Sequence, residues 1–288
     1  MNINLEEEML DGNNVNDIKK ISNYGKASGF LIAKRYNLPT YSNFYIIENE
    51  EEVQTLLDRF NEQNDFCMRS DTQLGNIPIG IGGRNGNRDT IFEYIKQIEE
   101  KSQELGTKGV AIIYWNKGKF CPTYDVDGCF YLDYQTKKQL MIDYVGKGWD
   151  GSFLSHGSAC HETYTVPWDE ILFLNDNNIS KYKTSKIREY AYNQLRNARI
   201  KDLQSKYGLS SEECSKLIPN QYREIKKEYI RQVIEQVIIP MYDSPDLQRN
   251  YREYIPIAQI ENGKVLVPEV ILPSRLKYIQ RGMQHDER

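Results

Sequence analysis

The stretch FCMRSDTQLGNIPIGIGGRNGNRDT, residues 66–90, concentrates the residues most able to do chemistry. A short apolar run ends in Arg69-Ser70-Asp71, five glycines follow, and Arg84 and Arg88 lie among the last residues. Glycines let a backbone approach a ligand closely and point successive N–H groups at an anion. The planar guanidinium fork makes paired, charge-assisted hydrogen bonds to phosphate oxygens. The combination suits a polyphosphate. A flexible hairpin tip carrying solvated arginines fits the same residue types, and composition alone leaves both readings open.

The elements that must position these groups follow from periodicity. The segment 17–37 reads as a helix, with Ala27, Phe30, Leu31 and Lys34 at helical spacing and Pro39 as its stop. FYII (44–47) predicts a strand. NEEEVQTLLDRFNEQ predicts a helix whose acidic first turn suits the macrodipole. DFCMRS predicts a short strand, and 89–104 a helix with Ile91, Tyr94, Ile95 and Ile98 on one face. From 109 the character turns to strands: a buried GVAIIYW, a hairpin in GCFYLDYQTKKQLMIDYVGKG, then ETYTVPW. Residues 178–240 are helical and highly charged, with a capping box opening SSEECSKL. Strands return in EYIPIAQI, GKVLVPEVIL and RLKYIQR.

This order does not suit an alternating parallel sheet. It predicts an α+β fold of two lobes with a helical insertion. The expected divisions are an N-terminal lobe over 1–106 with the glycine-rich loop, a β-rich second lobe over 107–177, a helical insertion over 178–245, and C-terminal strands over 246–288 completing the second lobe.

Totals narrow the function classes. A chain of 288 residues with 39% apolar residues can bury a core, and a net charge of −4 disfavours nucleic-acid binding through bulk charge. No run approaches the length of a membrane helix, and MNINLEEEML lacks the basic-then-apolar order of a signal peptide. Five scattered cysteines read as reduced thiols, so a cytoplasmic protein is expected. The P-loop pattern is missing: Gly25-Lys26 is followed by alanine and has no glycine five residues earlier. GIGGRNG contains Gly80, Gly82 and Gly83 but lacks the acidic partner and strand–helix–strand order of a dinucleotide site. His156, Cys160 and His161 are spaced like metal ligands, yet no fourth zinc ligand accompanies them. Asp125 and Asp127 lack the further ligands of a calcium loop. The basic run 181–207 is a solvated helix face, a docking surface or a lid.

The order of these motifs resembles the nucleotide-binding domain of the pyruvate phosphate dikinase, phosphoenolpyruvate synthase and rifampin phosphotransferase family. The matching positions are Gly25-Lys26, Leu38-Pro39, Phe44 and Ile46, Arg69-Ser70, Gly82-Gly83 and Asp89-Thr90. GVAIIYW looks like the family strand that reaches the adenine, which makes Tyr114 and Trp115 hinge positions. PEVILPSRLKYIQRG resembles the closing strands, with Glu269 and Gln280 on the metal side and Arg281 on the phosphate side. The likeness covers about three quarters of the chain. Departures are Tyr24 where the family has a first glycine, a longer glycine loop, and Gln280 directly adjoining Arg281. A second alignment uses Glu261 with Glu269.

What the resemblance implies is an ATP-grasp fold holding ATP and Mg²⁺ between two lobes. Lys26, Arg69 and Arg281 would then hold phosphates, Gly82, Gly83 and Thr90 would line the phosphate loop, and phosphate would pass to a small substrate or a partner protein. The family's phosphate-accepting histidine domain has no counterpart here. The alternative is a non-catalytic binding or structural module on the same fold, acting through a protein partner on 178–245.

Overall fold

The computed structural model describes residues 3–4, 24–40, 44–59, 66–73, 79–114, 126–136, 139–149, 154, 159–242 and 255–271. Among the described residues the strands form two antiparallel sheets. The first contains β1 (Ile3–Asn4), β2 (Phe44–Ile47), β3 (Phe66–Thr72), β4 (Arg84–Gly86) and β5 (Gly109–Tyr114), in the order β1-β2-β5-β3-β4. The second contains β6 (Val126–Thr136), β7 (Gln139–Gly146), β8 (Glu162–Pro167), β9 (Lys183–Lys186), β10 (Ile255–Glu261) and β11 (Lys264–Ile271), in the order β11-β10-β6-β7-β8-β9. This is the two-lobed α+β arrangement expected from the order of elements. β5 lies centrally in the first sheet, although its sequence position falls in the stretch expected for the second lobe. Its run GVAIIY is buried at nearly every residue, as a strand covered on both faces must be.

Alternation along the strands sorts the first lobe into two layers. Tyr45, Ile47, Phe66, Met68, Ala111 and Ile113 face α2 (Glu50–Arg59) and α3 (Thr90–Leu105). Phe44, Ile46, Cys67, Val110, Ile112 and Tyr114 face α1 (Gly25–Arg35). Gly106 ends α3 in the left-handed conformation, at φ 62°.

α1 is buried on two sides. Ala27 and Phe30 enter the core of the first sheet, while Ile32 and Ala33 enter that of the second. Gly29 lets the helix meet β11: a Cβ placed there would stand 2.3 Å from the Val270 carbonyl oxygen. Just beyond the helix, the Val267 N–H donates to the Pro39 carbonyl at 2.6 Å, and Thr40 Oγ1 donates to the Val267 carbonyl at 2.9 Å. Among the described strands β11 is at the edge of its sheet, and the first lobe thereby engages it.

One face of the second sheet packs on α6 (Lys227–Val233), a π-helical turn at Ile234–Ile238, and α7 (Ile239–Tyr242). The wider turn lies just before Pro240, which lacks an N–H and crowds the preceding turn. The segment from 178 opens with a 3₁₀ turn and β9, which pairs with β8, before α4 (Glu189–Tyr207) and α5 (Ser211–Leu217). The capping box at Ser210 and Glu213 forms as expected. The helical segment is tied down by Glu162, a fully buried carboxylate. It accepts from Tyr164 Oη at 2.5 Å, from Tyr222 Oη and from the Ile225 N–H at 3.2 Å, and pairs with Lys183 at 3.0 Å. Among the described residues no helix is long and apolar enough to cross a membrane.

Candidate functional site at the lobe junction

Strand β3 presents Cys67, Arg69 and Asp71 toward α1 and Met68 and Ser70 toward α3, by simple alternation. Asp71 is nearly fully buried, and its Oδ2 accepts the N–H groups of Lys26 at 2.7 Å and Ala27 at 2.9 Å. Those amides belong to the first turn of α1, where a helix has no internal acceptor for them and favours negative charge. Lys26 Nζ donates to the Ser70 carbonyl at 2.6 Å. Lys26 is thus tethered at its backbone and its ammonium to consecutive residues of β3.

Arg69 reaches the other lobe. Its Nη2 donates to Glu269 Oε2 at 2.5 Å and its Nη1 to the Pro268 carbonyl at 3.4 Å. The two side chains are 17% and 13% exposed, so the pair is shielded but not sealed. Tyr114 lies opposite Cys67 on the neighbouring strand, beside the guanidinium. Burial drives its hydroxyl above the usual phenol range, with Arg69 acting in the other direction. Burial also pushes the Cys67 thiol up to about 12; Arg69 opposes this and the Glu261 carboxylate adds to it. Both groups therefore stay protonated at neutral pH.

A β-bulge brings Glu269 to this contact. Leu266 pairs with Gln259 but Glu269 pairs with Ile257, so β11 carries one extra residue around Pro268. Strict alternation from the buried Val265 and Val267 would send residue 269 into the core. The bulge sends Val270 there and turns Glu269 to the opposite face. On that face, register aligns Glu269, Ile257, Tyr131, Asp143 and Thr163 across five strands. Asp143 Oδ1 accepts from Thr163 Oγ1 at 2.6 Å and lies 3.5 Å from Cys160 Sγ. Although Cys160 is exposed as a residue, its sulfur is enclosed by Asp143, Thr163 and two carbonyls. Burial of the sulfur, with the Asp143 carboxylate beside it, pushes the thiol up to about 11 against the lowering effect of Thr163 and the Tyr144 carbonyl, so it is no ready nucleophile.

Lys26, Arg69, Tyr114 and Glu269 are thus linked through β3 and the lobe junction. The other expected residues have other contacts. Gly82 and Gly83 are exposed and precede β4. The Gly82 carbonyl accepts from Tyr94 Oη at 3.2 Å, and the Ile81 carbonyl accepts from Ser70 Oγ at 2.7 Å. Thr90 opens α3, where its Oγ1 accepts the Asn87 N–H at 2.9 Å while Asn87 Oδ1 accepts the Thr90 N–H at 3.0 Å. Arg84 lies over the Tyr94 ring and donates to Gln97 Oε1. Trp115, Gln280, Arg281 and His156 lie outside the described residues.

Of the histidine–cysteine motif only Cys160 and His161 are described, and among the described residues no group of three or more His, Cys, Asp or Glu side chains converges. His161 is instead a core residue. Its Nδ1 accepts the Gly146 N–H at 3.0 Å, and the rings of Trp149, Tyr192 and Tyr222 meet it edge-on. Burial pushes its pKa down to about 4.

Sequence reasoning overlooked Asp71 and Asp143. The signal for Asp71 was its place directly after Arg69-Ser70. Asp143 carried none, because its partners are set by register.

No family model and no curated protein sequence matches the chain. Among solved structures, ACD1 of Ca. Korarchaeum cryptofilum in complex with coenzyme A is similar, with 11% identity and a TM-score of 0.43. The match covers 86% of this chain and 92% of that one. D-alanine-D-alanine ligase from Helicobacter pylori gives 13% identity and a TM-score of 0.41, over 91% of this chain and 60% of the ligase. Phosphoribosylamine–glycine ligase from Thermotoga maritima gives 12% and 0.40, over 88% of this chain and 49% of the enzyme. The chain therefore spans less than two thirds of either ligase. Likeness at this level says nothing of what the chain binds.

Proposed function

We propose that the chain is an ATP-grasp-type protein that binds ATP with Mg²⁺ at the lobe junction and passes phosphate to a small substrate or partner. The observation that carries this reading is the meeting of Arg69 from β3 with Glu269 from β11, beside a lysine anchored to the same strand. Phosphoryl transfer is mostly positioning and neutralisation of charge. A guanidinium and an ammonium supply cationic donors for phosphate oxygens. Tyr114 and Cys67 remain neutral there, so neither adds repulsion.

Mg²⁺ carried with a nucleotide keeps several waters and takes only one or two protein carboxylates. Glu269 fits that requirement: it is a half-buried carboxylate on the face turned away from the second core. When bound, the metal would neutralise phosphate charge. Glu261 is a further carboxylate, close enough to influence Cys67 electrostatically.

A non-catalytic module is the second reading, and one observation favours it. The cationic and N–H groups at the junction already meet carboxylates of the chain itself, Asp71 at α1 and Glu269 at Arg69. Such a module would act through 178–245, whose described part Glu162 anchors to the second sheet. Thermal unfolding in a panel of nucleotides, followed by phosphate release with the purified chain, separates the readings. ATP with Mg²⁺ raises the melting temperature under the first. Binding without turnover toward any acceptor supports the module, and a flat response to every nucleotide removes the first reading.

A further inference from the structure

We infer that the Arg69–Glu269 pair is an autoinhibitory contact: Glu269 occupies the guanidinium that an incoming phosphate needs, holding anion affinity down until it is displaced. This rests on the nucleotide reading of the same site. Carboxylate and phosphate oxygens compete for the same guanidinium N–H groups. Asp71 and Glu269, the two carboxylates hydrogen-bonded at the junction, differ in how firmly they are held. Asp71 belongs to β3 itself, is nearly fully buried, and caps the helix that its own sheet carries. It is a fixed part of the first lobe. Glu269 comes from the other lobe, is partly exposed, and stands at a bulge where the strand departs from regular pairing. It is the partner that can leave.

An anion that takes the Nη2 side of the Arg69 fork must separate the pair and leave a half-buried carboxylate without its guanidinium. A polyphosphate carrying a divalent cation offers replacements to both sides, phosphate to Arg69 and metal to Glu269. A metal-free polyphosphate replaces only one. The contact therefore favours metal-loaded over metal-free polyphosphate by competition, with no requirement for a second site.

The test is calorimetric titration of inorganic tripolyphosphate in excess EDTA into the full chain, with Mg·ATP titrated in parallel. Glu269→Gln keeps the side-chain shape and removes the competing charge. It should bind metal-free tripolyphosphate about tenfold tighter than wild type, the scale of one charge-assisted contact. Glu269→Asp, which retracts the carboxylate, should fall between, and it carries the test if the glutamine variant does not fold. Adding Arg69→Ala to Glu269→Gln should abolish the gain. If wild type binds Mg·ATP but neither Glu269 variant binds tripolyphosphate more tightly, the autoinhibitory role is overturned and the nucleotide reading stands. If neither wild type nor any variant takes up either ligand, both fall together.

Discussion

Replacing Gly29 with alanine sets two effects against each other. Alanine favours a helix interior over glycine by about 1 kcal/mol. At this position, however, the added Cβ would stand 2.3 Å from the Val270 carbonyl oxygen, 3.2 Å from its carbon and 3.3 Å from its nitrogen. All three are backbone atoms of a paired strand, so no flexible side-chain tip can swing aside. Ordinary contact begins near 3.4 Å, so α1 must retreat from β11 by roughly 1 Å. The retreat loosens Ile32 and Ala33 from the second core and strains the Pro39–Val267 hydrogen bond. Overpacking of this kind costs about 1–3 kcal/mol, which outweighs the propensity gain. A clash at 2.3 Å with fixed backbone falls in the upper half of that range, about 2–3 kcal/mol, so Gly29→Ala should lower stability by a net ~1–2 kcal/mol. Gly82→Ala is the control, because a Cβ there meets nothing within 4 Å. Urea unfolding followed by circular dichroism measures both. A Gly29→Ala protein as stable as wild type, or more so, would refute the claim that α1 clamps the lobes through backbone contact.

Two further outcomes follow from the second lobe. His161 titrates near 4 when folded and near 6.5 when unfolded, so below about 6.5 the unfolded chain binds the extra proton. Its contribution is fully present above that value and is lost as pH falls toward 4, by about 3 kcal/mol at most; His161→Asn, which keeps an acceptor for the Gly146 N–H, should flatten the slope of urea stability between pH 6.5 and 4. Glu162→Ala leaves Lys183, two tyrosine hydroxyls and the Ile225 N–H without their shared acceptor, and should cost about 3–5 kcal/mol. Hydrogen exchange should then show early loss of protection in 222–242, and a variant with unchanged protection would deny the anchoring role.

Local patterns made most of the elements legible. Ile91, Tyr94, Ile95 and Ile98 marked the buried face of α3, and Ser210 with Glu213 marked the start of α5. The apolar run of β5 announced a doubly covered strand, but not which sheet would cover it. α1 was harder because both of its flanks are buried, which blurs the single apolar stripe that periodicity detects. The candidate site rests on residue types that the sequence displays and on a placement that it does not. Arg69 and Glu269 stand 200 residues apart in sequence, and a bulge at Pro268 decides that they meet. Nothing local announces that bulge beyond the proline itself. The glycine doublet was the most conspicuous phosphate signal, yet its described contacts run to α3 through Tyr94. Cys160 and His161 stand at the entry into β8, with His161 filling an aromatic core.

Phosphate groups are proposed to bind beside β3, the strand that carries Arg69 and anchors the Lys26 ammonium at Ser70. Calorimetric titration of Mg·ATP into wild type, Lys26→Ala and Arg69→Ala, each first shown to be folded by circular dichroism, tests it most directly. Wild type should bind saturably, and each variant should lose at least about tenfold in affinity, since each removes one charge-assisted contact. Equal affinity in all three proteins, or no binding to the folded wild type, would contradict that binding site.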